Sequence, residues 1–209
     1  MKKITLFLSS INKYGVKFLF FILLYELINT YRLRFRDYLV LNPVKKKYKP
    51  CVSTPYYCLS LIDKKIIKKN YTFIDFGYGR GRVINFIKKN KNIRKIVGIE
   101  NNTELREQLM KLNDQKTKIY INDCSDNHFL NFLTKTYSKN NLILYFYHPF
   151  SEKILSLILK NFLNKNKNKK ELKIIIMGEI YISLKMKKKF QIKVEKIHKL
   201  LNIYSYKYH

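Results

Sequence analysis

Hydrophobic and polar positions from Tyr71 onward follow two alternating rhythms. Short β-branched and aromatic runs at 72–76, 95–99, 118–121, 142–147 and 173–177 predict buried strands. Between them, segments 80–89, 103–112, 127–137 and 151–163 repeat their apolar residues at helical spacing. Strand and helix in turn predict an α/β domain, with helices on both faces of a parallel sheet. Residues 164–171 form a polar, Lys-rich loop, and 190–196 and 202–208 read as two strands with outward-facing Lys. Upstream, 56–69 has the apolar spacing of a helix, while Pro43, Pro50 and Pro55 make 38–55 an irregular connection.

The first 31 residues break this pattern. Residues 4–8 and 16–25 are strongly apolar, but Lys17 interrupts the second run and Glu26 bounds it. The uninterrupted part falls short of the ~20 residues a spanning helix needs, and no small-residue cleavage site follows it. A helix packed on the following domain comes first among the expectations, then attachment to a membrane interface, then a span. Arg32, Arg34 and Arg36 just beyond would suit anionic lipid on a cytoplasmic face, or form a solvated basic face. The chain therefore divides into an apolar and basic helical extension, 1–47, and one domain, 48–209.

Composition adds little to this. With 46% hydrophobic residues in 209 the chain can build a real core. Its formal charge of +29 is nearly all Lys and comes with abundant Asn, Ile and Tyr. Codon bias toward A and T explains that as readily as a polyanionic partner. Cys51, Cys58 and Cys124 have no C-x-x-C spacing and the four His are scattered, so no metal site is expected. Unpaired thiols fit a reducing cytoplasm, and a monomer is expected.

The chemistry centres on Thr72-Phe-Ile-Asp-Phe-Gly-Tyr-Gly-Arg-Gly-Arg-Val-Ile84. A buried strand running into Gly77, Gly79 and Gly81 makes a loop whose backbone can come close to a nucleotide cofactor. The dinucleotide fingerprint G-x-G-x-x-G would need glycine where Arg82 stands, which weakens a pyrophosphate assignment. The next strand ends in Glu100, a carboxylate suited to two ribose hydroxyls; the third is followed by Asn122, Asp123 and Cys124; the fourth runs into Tyr147-His148-Pro149-Phe150.

Asp75-Phe-Gly-Tyr-Gly-Arg-Gly-Arg82 resembles the D-x-G-x-G-x-G-R motif of class I S-adenosylmethionine-dependent methyltransferases. Glu100, Asp123 and the His-Pro-Phe turn follow in that family's order, and the resemblance covers about residues 48 to 208. It implies a Rossmann-like, doubly wound seven-stranded sheet of order 3-2-1-4-5-7-6 with its last strand antiparallel. It further implies that Asp75, Gly77, Tyr78, Gly79, Gly81, Glu100, Asn101, Asp123, Cys124 and Thr54 hold S-adenosylmethionine. Asp75 would order the loop near the methionine amino group, Tyr78 would shield the cofactor, and Asp123 would accept from the adenine amino group, unless it only forms an Asx turn. The alternative for Thr54-Pro55, the cap and first turn of the next helix, comes ahead of a direct ligand contact. Arg82 would pair with a carboxylate or support the loop, Arg80 would be exposed, and Asp126 and His128 would be cap and surface residues.

Phe150 would wall the methyl-transfer pocket, and His148, where the family branch has Asn, would be a candidate base. That departure argues against the usual DNA-adenine or glutamine-amide acceptors. The first expected acceptor is a protein lysine amine, by similarity to lysine methyltransferases with an N-terminal hydrophobic segment; RNA, a small molecule and a glycan are the alternatives. A non-catalytic docking module is the reading from another class.

Overall fold

The computed structural model describes residues 15–33, 40–41, 51–67, 70–147, 151–165, 171–177, 182, 184–189, 193–198 and 201–206. They belong to two units, Met1–Ile66 and Ile67–His209.

In the first unit, helix α1 (Val16–Leu33) and helix α2 (Tyr56–Ile66) meet through aromatic rings. Phe18, Phe21 and Tyr25, on one face of α1, surround Tyr57 with centroids 5.5, 5.4 and 5.3 Å away. Glu26, the acidic residue in this apolar helix, accepts the Tyr56 N–H at 2.9 Å. It thereby satisfies one of the orphan donors at the start of α2 and places a negative charge at the positive end of that helix. Helix α2 starts directly after Thr54-Pro55, with the Pro55 carbonyl accepting from Leu59 N–H at 3.1 Å. It falls within the first unit. Between the helices, Val40 pairs with Val52 and Leu41 with Cys51 in a short antiparallel ladder. No helix among the described residues is long and apolar enough to cross a membrane.

The second unit is built around strand β1 (Tyr71–Phe76), whose six residues are all buried. It pairs in parallel with β2 (Ile93–Glu100) on one side and β4 (Asn141–Tyr147) on the other. Strand β3 (Thr117–Ile121) extends the sheet beyond β2 and β5 (Leu172–Met177) extends it beyond β4, giving the predicted parallel order 3-2-1-4-5. Strands β6 (Lys193–His198) and β7 (Leu201–Tyr206) form an antiparallel hairpin, with β7 antiparallel to β5, so the full order is 3-2-1-4-5-7-6.

Alternate side chains divide the core between the two faces. Ile74, Phe76, Val97, Ile99, Leu142, Leu144 and Phe146 pack with helices α5 (Asn127–Tyr137) and α6 (Glu152–Lys165). Phe73 stacks on Tyr145 on the opposite face, where Asp75 lies in register with Gly98 and Tyr145. Helix α3 (Arg82–Ile87) is shorter than the predicted 80–89; it starts late because Gly81 at its N-terminus is left-handed (φ 84°) and cannot continue a right-handed turn backward. The predicted 103–112 helix splits into a 3-10 turn, Thr103–Leu105, and α4 (Arg106–Met110). Helix α7 (Leu184–Lys189) was not anticipated: Leu-Lys-Met-Lys-Lys-Lys has no apolar period.

Gly98 is required by packing. A Cβ there would lie 2.6 Å from Ile84 Cδ1, 2.9 Å from Ile119 Cδ1 and 3.0 Å from Tyr78 Cδ1. Three neighbours would have to give at once in a filled core. Gly98→Ala is therefore expected to lower stability by about 1–3 kcal/mol, read as a lower urea midpoint with unchanged slope. An unchanged midpoint would show that the ring of Tyr78 does not need this space.

Candidate functional site

Strand order reverses between β1 and β4, so crossovers leave on opposite faces and open a crevice beyond the strand carboxyl ends. The glycine loop begins there. Gly77 N–H donates to Ile99 O at 2.8 Å, extending the β1–β2 ladder by one bond beyond Phe76. Gly77, Gly79 and Gly81 all have positive φ (77°, 54° and 84°). At Gly81 the lack of a side chain serves packing too, since a Cβ would lie 2.5 Å from Leu112 Cδ1.

The carboxylate of Glu100 ties this loop to the end of β2. Its Oε2 accepts the Gly79 N–H at 2.9 Å, and its Oε1 accepts the N–H groups of Asn101 at 3.1 Å and Asn102 at 3.0 Å. Asn102 also caps the following turn, accepting from Glu104 N–H at 3.0 Å. The end of β3 joins the same row, with Asn122 N–H donating to the Glu100 carbonyl at 2.9 Å.

Asp75 lies beneath the loop, 1% exposed, and among the described residues its Oδ2 has no hydrogen-bond partner. Burial first, and the nearby charge of Glu100 second, push its pKa well above the usual carboxylate range. Tyr78 is also buried, and its hydroxyl has no partner among the described residues. Burial, then Glu100, then Asp75 raise that phenol. The ring expected to shield a cofactor lies against Gly98 of β2. Asp75 Oδ2 and the Tyr78 hydroxyl are therefore two buried polar atoms left open next to an anchored carboxylate.

The other predicted residues fall at different distances from this centre. Asn101 is exposed and contributes its N–H to Glu100. Asp123 is exposed, and its Oδ1 accepts from both the N–H and the hydroxyl of Ser125 at 2.7 Å, an Asx turn. Cys124 is a buried core thiol, raised to about 12 mainly by burial and then by Asp123. Asp126 caps α5, accepting from His128 N–H at 2.8 Å, and His128 is exposed. Arg82 is buried at the first position of α3. Arg80, expected to be exposed, is half-buried, and its Nε has no partner among the described residues. Thr54 is buried and belongs to the first unit. His148 and Phe150 lie outside the described residues. Asn102 escaped the sequence reasoning, although Asn-Thr-Glu is a readable helix-start signal.

No family model matches the chain, and no curated protein matches it significantly. Among solved structures it is similar to a putative methyltransferase, YhhF, from Escherichia coli (13% identity over 73% of this chain and 83% of that one, TM-score 0.49). A precorrin-6y C5,15-methyltransferase from Geobacter metallireducens gives 12% identity, 74% and 90% coverage, and a TM-score of 0.47. An rRNA methylase from Streptococcus thermophilus gives 10% identity, 76% and 99% coverage, and a TM-score of 0.46. Likeness at this level carries no inference about function, which has to come from the chain's own residues.

The buried Asp75 carboxyl makes a signed prediction. Because its folded-state pKa is raised, its ionisation opposes folding as pH climbs above the unfolded value of about 4. Asp75→Asn should therefore gain in thermal midpoint relative to wild type as pH rises from 4 to 8, and the difference should close again toward pH 4. Melting curves across that range would check it; a constant difference would place the carboxyl in contact with solvent or with a cation.

Proposed function

We propose that this chain is a class I S-adenosylmethionine-dependent methyltransferase. The observation that carries the reading is the Glu100 carboxylate at the end of β2, bonded to Gly79 of a three-glycine loop at the end of β1 above the unpartnered buried Asp75 Oδ2. Together these offer a close backbone approach and two carboxylates, the chemistry needed by a ligand that combines an ammonium group with a ribose diol.

The residues present fit that cofactor. Asp75 Oδ2 is an open acceptor, inside the fold, for a cationic amino group. Three N–H groups occupy Glu100, of roughly four acceptor positions a carboxylate offers. One ribose hydroxyl can add directly to it, and a second is accommodated if the Gly79 or Asn101 N–H gives way. When bound, the cofactor would supply a methyl group on a sulfonium, electrophilic enough for in-line displacement by the acceptor. The chain's work is then to bind, orient and exclude water: Asp75 and Glu100 fix the two ends, and the glycines admit the ligand against the backbone.

For the acceptor, we infer a protein lysine amine first. The support is sequence similarity in the Pro/Thr-Pro segment and the glycine loop, an analogy of fold family. RNA is the second reading, favoured by the +29 charge. Calorimetry with S-adenosylmethionine and S-adenosylhomocysteine tests the cofactor. Micromolar binding, weakened at least ~10-fold (about 1.4 kcal/mol) in Glu100→Ala, is expected. No binding to well-folded protein would overturn the enzyme reading. Transfer of a labelled methyl group into protein and RNA fractions would then separate the two acceptors.

A further inference from the structure

Helix α1 is apolar on two sides, and among the described residues of its unit one of them is packed. Phe18, Phe21 and Tyr25 pack around Tyr57 of α2, and Glu26 turns to the Tyr56 N–H. Around the rest of the helix, Val16, Phe20, Leu23, Leu24, Leu27 and Ile28 are 65, 60, 60, 36, 72 and 40% exposed. Steps of four, three, one, three and one keep these six on one stripe of a 3.6-residue helix. They are six of the nine large hydrophobic residues exposed among the described residues, so the exposure is concentrated here. A contiguous apolar stripe of this kind marks a surface that binds something.

Charge complementarity favours one occupant. The unit Met1–Ile66 carries ten Lys and three Arg against two Asp and one Glu, a net charge of 13 − 3 = +10. Lys17 is exposed beside Val16, at the start of the stripe. A second copy would bring an equal positive charge against this one, whereas an anionic lipid surface offers apolar depth and opposite charge together. From Val16 to Ile28 the stripe runs about 18 Å at 1.5 Å per residue, well under the ~30 Å of a hydrocarbon core. The helix can lie along a bilayer surface but cannot cross it with this stripe.

We propose that the exposed face of α1 seats the protein on the surface of an anionic bilayer, with the stripe in the headgroup and upper acyl region and the Tyr57-packed face turned away. The arrangement does not depend on the cofactor reading. It differs from a span in leaving the whole helix on one side of the membrane, and from ordinary helix packing in leaving Tyr57 covered.

The test is co-sedimentation of the full chain with phosphatidylcholine vesicles and with vesicles enriched in phosphatidylglycerol. Binding to the anionic vesicles that weakens with added salt is expected. Leu23→Glu/Leu27→Glu should reduce it at least ~10-fold with an unchanged melting curve, since both positions are exposed. Lys17→Glu should reduce the preference for anionic over neutral vesicles while leaving the apolar stripe intact. The proposal is overturned if folded wild-type protein ignores anionic vesicles, or if the double variant binds as wild type does. It is equally overturned if light scattering shows wild-type protein dimerising through the stripe, or if an acidic protein competes the vesicles away completely.

Discussion

One carboxylate holds the crevice together. Glu100 takes N–H groups from Gly79, Asn101 and Asn102, joining a loop that leaves β1 to a loop that leaves β2. Bonds from backbone N–H to an ionised acceptor are among the stronger hydrogen bonds a protein makes. Glycine loops with three positive φ values have large conformational freedom when unfolded. The carboxylate offsets that freedom at the one point where the loop passes β2. The parallel register makes it possible: Asp75 pairs with Gly98 and Phe76 with Ile99, so Glu100 falls one step beyond the end of β1, level with the first loop glycine.

The same anchor sets the electrostatics beneath it. Asp75 is buried beside a second carboxylate, and both circumstances favour its neutral form. The Tyr78 hydroxyl is also buried with no partner among the described residues, on a ring that fits because residue 98 has no side chain. A chain selected for stability alone would not leave a carboxyl and a phenol open under a loop. An arriving cationic group would supply the missing interaction, so the unfavourable arrangement in the protein becomes differential affinity for such a ligand. The pairing of Tyr78 with Gly98 also shows how a bulky residue can stand between the loop glycines: its ring goes down into the sheet face.

Much of this was legible in the sequence, for identifiable reasons. Strand β1 is buried throughout and β4 and β5 nearly so, and they read as apolar runs; Asp126 and the spacing of Phe129, Leu130, Leu133 and Tyr137 both mark the bounds of α5. A pattern of apolar residues cannot register the left-handed Gly81 that delays the start of α3. The direction of the Tyr78 ring was hidden because it depends on Gly98, twenty residues away in another strand. Glu26 looked like the boundary of an apolar run, when its partner is a backbone N–H thirty residues on. Local periodicity carries element type well; it carries no information on which distant vacancy a side chain will fill.

Glu100 is proposed to organise the glycine loop into a cofactor site. Amide resonances of the ¹⁵N-labelled protein, followed while S-adenosylhomocysteine is added, test it most directly. Shifts should concentrate on residues 75–81 and 100–102, and in Glu100→Gln the Gly79 amide should lose protection from exchange and the same additions move little. Shifts that avoid both loops, or a Gly79 amide equally protected in the variant, would contradict it.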